Sequence, residues 1–299
     1  MSGLADSSVP AVSPEGWLRP QWPVPPHVRA VFTTRAGGLS APPWDSMNLG
    51  DHVGDAPADV ERNRQRLQEA TRARSVFLKQ VHGSDVLVLD GQSAHGSTAD
   101  ACVTTETGLA CTIMVADCLP VLLSTSDGAV VAAAHAGWRG LAGMPAASPG
   151  RAGGGSSSMA ARGVLETVHA AVLRAATGLA PRAAYSGGVL AWLGPCIGPS
   201  AFEVGAEVKA AFESAQPGAS VYFKPQGTGK FLADLPGLAR LRLRALGVSA
   251  VYGNDGSDAW CTVRNPSLFF SHRRDAGAVA TGGNGTGTTG RMAACIWRS

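Results

Sequence analysis

Leu109-Ala110-Cys111-Thr112-Ile113-Met114-Val115-Ala116-Asp117-Cys118-Leu119-Pro120-Val121-Leu122-Leu123-Ser124 contains two β-rich apolar runs, 109–115 and 121–124, separated by an Asp-Cys pair and a proline. Similar short runs lie on either side, at 28–34, 76–81, 86–89, 130–134, 190–193, 250–252, 268–271 and 292–297, several of them bounded by Asp, Gly or Pro. Helical spacing fills three gaps. Residues 58–71 follow Pro57 with Val60 and Leu67 on one side; 164–177 repeats Val164, Leu165, Val168, Ala171 and Val172; 235–246 follows Asp234, a natural N-cap, with Pro236 in its first turn. Strands grouped early, with helices interspersed later, predict an α+β fold: a layered αβ sandwich, one domain with mixed sheets and surface helices.

The 299 residues suffice to bury roughly three quarters of the unfolded surface in one core. A single domain is expected over 27–299, preceded by a Ser/Pro/Ala-rich flexible arm at 1–26 whose only anchors would be Trp17 or Trp22. The net charge of +3 is spread along the chain, which argues against nucleic-acid binding. No stretch is apolar enough to span a membrane and residues 1–20 lack a signal-peptide pattern, so a cytoplasmic protein is expected. Cys102, Cys111, Cys118, Cys196, Cys261 and Cys295 are scattered without a C-x-x-C pair. That excludes a disulfide framework and the zinc site of cytidine deaminases.

His82, Cys118 and His135 each end a β-rich run and together have the makings of one zinc site with a free fourth position. Taken singly, a buried Cys is as a rule a core hydrophobe and a His a satisfied polar group. The surrounding words decide. Lys79-Gln80-Val81-His82-Gly83, Val115-Ala116-Asp117-Cys118-Leu119-Pro120, Ala134-His135-Ala136-Gly137-Trp138-Arg139-Gly140, Leu193-Gly194-Pro195-Cys196-Ile197-Gly198-Pro199 and Phe269-Phe270-Ser271-His272-Arg273-Arg274-Asp275 resemble the bacterial YfiH-like family, also called the polyphenol oxidoreductase laccase or purine nucleoside phosphorylase family. The resemblance covers nearly everything after the first two dozen residues. It departs at two Gly-rich segments, near 144–162 and 277–289, expected to be mobile insertions.

The resemblance implies an αβ fold and a zinc-dependent enzyme that binds purine nucleosides and inorganic phosphate. By the same resemblance, such an enzyme is expected to phosphorolyse adenosine, inosine and 5′-methylthioadenosine and to deaminate adenosine. Zinc is expected at His82, Cys118 and His135; copper fits less well, since cupredoxin ligands bunch on one loop and a multicopper laccase needs more imidazoles than seven histidines supply. Asp117 either handles a proton or orients a ligand, or else caps its turn. Gly137, Arg139 and Gly140 are candidates to cradle phosphate, Arg35 and Asn48 to hold the nucleoside, each with a structural alternative. His272 is given no catalytic role. Editing of peptidoglycan precursors, phenol oxidation by copper and a non-enzymatic zinc-stabilised module are the competing readings; oligomeric state is not readable.

Overall fold

The central apolar runs become strands buried along their whole length, which is why they show no polar alternation. The computed structural model describes residues 13, 16–144, 162–179, 187–276 and 287–299. In chain order the elements are β1 (Val28–Phe32), α1 (Pro57–Thr71), β2 (Arg74–Phe77), β3 (Val86–Val88), β4 (Ala101–Thr104), β5 (Leu109–Val115), β6 (Leu119–Thr125), β7 (Val131–Ala136), α2 (Trp138–Ala142) and α3 (Val164–Leu179). There follow β8 (Val189–Leu193), β9 (Glu203–Gly205), α4 (Ala206–Ala215), β10 (Phe223–Gly227), β11 (Lys230–Ala233), α5 (Leu235–Ala245), β12 (Ala250–Gly253), α6 (His272–Asp275) and β13 (Met292–Arg298).

Two mixed sheets stack. One has the order β1-β13-β5-β2 and the other β12-β8-β6-β7-β4-β3; a small third sheet, β10-β11-β9, lies apart from both in pairing. Val76, Ile113 and Ile296 meet Leu122, Ala133 and Trp192 between the two large sheets. Leu67 of α1 covers the outer face of the four-stranded sheet with Met47 and Leu49. Leu165 and Val168 of α3, with Leu238 and Leu243 of α5, cover the outer face of the six-stranded one. The fold is therefore the expected α+β sandwich, in the layer order helix, sheet, sheet, helices. Arg242 of α5 ties the helical layer together, donating to Glu166 of α3 at 2.6 Å and to the Ala142 carbonyl of α2 at 3.3 Å. No helix among the described residues is long and apolar enough to cross a membrane.

Several expectations need correction. Residues 268–271 form no strand: Phe269 and Phe270 are buried plugs between the sheets, apolar for packing rather than for pairing. Trp17, one of the two anchors expected for the arm, is buried in the core, and Leu18 beside it is buried too and bridges to Phe32. Residues 1–15 of that arm, except Ser13, lie outside the described residues, as do 145–161 and 277–286 of the two expected insertions. The last residues of the second one are tied down: Thr288 Oγ1 donates to the Val53 carbonyl and the buried Thr289 donates to Asp275.

Candidate metal centre

Three segments bring donor atoms to one point. His82 lies in the loop between β2 and β3, Cys118 in the short arch that takes the chain from β5 in one sheet to β6 in the other, and His135 near the end of β7. Pairing of β6 with β7 sets Leu119 opposite Ala136, which brings Cys118 beside Gly137. The three ligand atoms lie within 4.8 Å of one another, with Cys118 Sγ 3.7 Å from His82 Nε2. His135 is buried, Cys118 half-buried and His82 exposed, giving the group a closed floor and an open side. His82 and Asp117 are held at positive φ, 62° and 87°, a backbone state that costs non-glycine residues energy and collects at functional sites.

Asp100, which the sequence reading passed over, holds this arrangement. Its fully buried carboxylate accepts the N–H groups of Val81 (3.1 Å), His82 (2.9 Å) and Gly83 (2.7 Å), and lies 2.8 Å from His135 Nδ1. Burial pushes its pKa up, but His135 and the backbone N–H groups outweigh that and keep it lowered. An ionised carboxylate only accepts, so Nδ1 carries a proton and Nε2 is the nitrogen turned toward Cys118. The signal was available: an Asp between Ala99 and Ala101 at the start of an apolar strand is a buried charge that must find partners.

The electrostatics suit a metal. Burial alone would raise the Cys118 thiol, yet the imidazoles of His135 and His82 bring it down from 9.0 to about 6. Burial alone would lower His135, yet the Cys118 thiolate and the Asp100 carboxylate lift it from 6.5 to about 9. Two imidazole nitrogens and a ready thiolate, backed by a carboxylate and open on one side, fit a metal ion with three protein ligands.

The other expected site residues divide into those at the centre and those away from it. A Cβ on Gly137 would fall 2.7 Å from His82 Cδ2 and 3.2 Å from Cys118 Sγ, and one on Gly140 2.5 Å from the Gly83 carbonyl. Both glycines therefore let α2 press against the ligands. Arg139 is not on the cavity wall; its guanidinium stacks on the Trp138 ring at 4.5 Å. Asp117 borders the cavity, but its carboxylate oxygens accept Thr262 Oγ1 (2.5 Å) and Arg273 N–H (2.6 Å), and its carbonyl accepts Ile197 N–H (2.9 Å). These bonds tie the arch to segments distant in sequence, a role other than the proton handling, ligand orienting or local turn capping expected of it. Arg35 is spent on Asp45, the Pro266 carbonyl and the face of Phe270, away from the centre. Asn48 is fully buried and bonds within its own loop, to Asp55 and to the backbone of Arg291.

A cavity of about 320 Å³ opens over the three ligands. Trp138, Phe202 and Met114 give it apolar walls; Arg273 and Arg291 give it positive ones, and His52 and His272 line it beside them. Gln80 also borders it, pinned by a two-way pairing with the Met114 backbone, 2.8 Å in each direction. His52 and Arg291 were missed as site residues. His272, given no role, belongs to the same wall.

Residues 29–148 and 160–299 match the family model described as multi-copper polyphenol oxidoreductase laccase. Purine nucleoside phosphorylase YfiH of Escherichia coli K12 is 44% identical over 93% of this chain and 97% of its own length. A purine nucleoside phosphorylase of Pseudomonas aeruginosa is 42% identical over 94% and 98%. Among solved structures, a Neisseria meningitidis protein superposes with a TM-score of 0.75 at 41% identity, covering 95% of this chain and 99% of that one. YlmD of Geobacillus stearothermophilus does so with 0.76 at 30%, covering 97% and 98%.

Proposed function

The chain belongs to the family described as multi-copper polyphenol oxidoreductase laccase, and we propose that it is a zinc-dependent purine nucleoside phosphorylase acting on adenosine, inosine and 5′-methylthioadenosine, with adenosine deaminase activity. The relatives' names support an enzyme of nucleosides. The observation that carries the reading is the His82-Cys118-His135 group opening into a cavity of nucleoside size with apolar walls and basic side chains. Among the described residues it is the one group of this kind, which favours a single metal ion over a multi-copper assembly.

His82, Cys118 and His135 would hold the zinc, and Asp100 would orient His135 and the 81–83 loop behind it. When bound, zinc supplies Lewis acidity toward an oxygen of substrate or water. Trp138 and Phe202 offer flat and apolar surface against which a purine can rest while water is excluded. The activity is assigned to residues 27–299 as one domain, and a cytoplasmic setting goes with the six free thiols.

The test is product analysis on zinc-loaded protein given adenosine, inosine or 5′-methylthioadenosine with and without phosphate. Free base with ribose 1-phosphate, or its 5-methylthio analogue, only when phosphate is present, and inosine from adenosine regardless, are the expected outcomes. Turnover of amino-acid-mismatched peptidoglycan precursors alone, or of phenols only after copper loading, would replace the reading.

A further inference from the structure

The basic side chains around the cavity are not equivalent. Arg273 is committed, with Nη2 donating to the Glu203 carbonyl and its guanidinium over Phe202. Arg274 is paired with Asp275 and bonded to the carbonyls of Thr262 and Phe269. Arg139 stacks on Trp138 off the wall. Arg291 shares with Arg273 the cavity wall and the lack of a carboxylate partner among the described residues, but unlike Arg273 its guanidinium is not stacked on an aromatic ring. Its charged neighbours are Cys118 and Asp117, with His52 also within its field, so it stands beside the metal ligands.

Arg291 is also held in place. Its backbone N–H donates to Asn48 Oδ1 at 2.8 Å and its carbonyl accepts Leu49 N–H at 3.0 Å. Its Nη1 donates to the carbonyls of Thr289 (2.9 Å) and Gly290 (3.2 Å), which fixes the plane of the guanidinium and leaves Nε and Nη2 uncommitted. Its stem packs on Gly50, where a Cβ would fall 2.7 Å from Arg291 Cγ. A half-buried guanidinium with a fixed plane and free donors is suited to bidentate recognition of an oxyanion.

We propose that Arg291 binds the inorganic phosphate used by this site, with Asn48 and Gly50 as the residues that position it. The inference rests on the phosphorylase reading. A phosphate oxygen forms the bond to C1′ as the C1′–N9 bond breaks; the electron pair leaves with the purine, which takes the proton of hydrogen phosphate, giving free base and ribose 1-phosphate. Arg291 holds the incoming anion, and the loop at 48–50 keeps the guanidinium from swinging out to solvent.

Zinc-loaded full-length protein is titrated with inorganic phosphate by calorimetry, and KM for phosphate is measured with inosine. Arg291→Gln should raise both Kd and KM for phosphate on the order of ten- to a hundredfold with zinc content retained, and Arg291→Lys should recover part of the loss. Arg139→Ala should leave phosphate affinity as in the parent. Gly50→Ala, which displaces the stem and keeps the charge, should raise KM for phosphate and serves if Arg291→Gln fails to fold. Unchanged phosphate binding in folded Arg291→Gln or in Gly50→Ala, no recovery in Arg291→Lys, or loss of binding in Arg139→Ala would overturn the assignment. Base release by the parent that ignores phosphate, with no heat of binding, would instead overturn the phosphorylase reading itself.

Discussion

One buried carboxylate, Asp100, meets three backbone N–H groups and an imidazole N–H at once. Asn in its place keeps the shape but turns an amide NH₂ toward N–H donors, leaving buried donors unpaired. Asp100→Asn should therefore weaken zinc binding on the order of ten- to a hundredfold, read by competition with a chromophoric chelator; unchanged affinity would mean that β7 alone orients His135. The neighbouring titrations set a pH signature. Cys118, depressed to about 6 from 9.0, contributes stability that is full above pH 9 and lost as pH falls through about 6. His135, raised to about 9 from 6.5, contributes stability that is full below pH 6.5 and lost as pH rises through about 9. Between about 6.5 and 9 the folded pair and the unfolded pair each hold one proton, so metal-free stability should be flat there. Zinc needs both donors bare and displaces that proton, so its apparent affinity should climb about tenfold per pH unit in the same window. Calorimetry in buffers of different ionisation heat should count about one proton released per zinc; none released would contradict the thiolate–imidazolium pair.

At the scale of elements, α2 matters for what its start lacks. Gly137 has ordinary φ, −65°, so its requirement is space and not conformation. Gly137→Ala should push the His82 ring away and lower zinc affinity on the order of tenfold or more, while the melting temperature of metal-free protein barely moves; full zinc affinity would show that His82 can yield. The strands β5, β6 and β7 were legible because strands buried on both faces read as unbroken apolar runs. Three elements announced themselves through caps or spacing: α1 after Pro57, α3 by its repeat, α5 after Asp234, whose side chain does accept from Gly237 N–H at 2.8 Å. The strands β9, β10 and β11 were not legible, being short, mostly exposed and set by pairing with one another. The three residues of the candidate metal centre, His82, Cys118 and His135, were readable from the motifs around them. Asp100 left only the trace of a charge at the start of an apolar strand and Arg291 left none, because their partners are distant in sequence, and Arg35 looked like a substrate-binding residue because nothing local reveals Asp45 or Phe270 as its partners.

In the whole molecule, the chain closes on itself where the first Gly-rich segment departs. A Cβ on Gly163 would fall 2.8 Å from the Leu141 carbonyl, so α2 and the start of α3 are already neighbours before the residues between them are counted. Excising residues 145–161 shortens the connection between α2 and α3, and for a flexible connection closure changes by only about 0.6 kcal/mol per halving, so the melting temperature should stay within a few degrees, on the order of 3 °C, with zinc content intact. A larger fall with loss of zinc would show the segment packed against the centre. The centre itself spans both sheets, its arch leaving β5 in one and entering β6 in the other, with Asp100 bonded to His135 and the 81–83 loop behind it. A donor set of two imidazoles and a thiolate does not by itself select zinc. Divalent ions compete for such donors in an order that puts copper above zinc, and in a cell the winner is decided by which ion is in supply. The growth medium thus becomes part of the protein's chemistry: the same chain harvested from copper-rich and from zinc-buffered culture should be two different preparations.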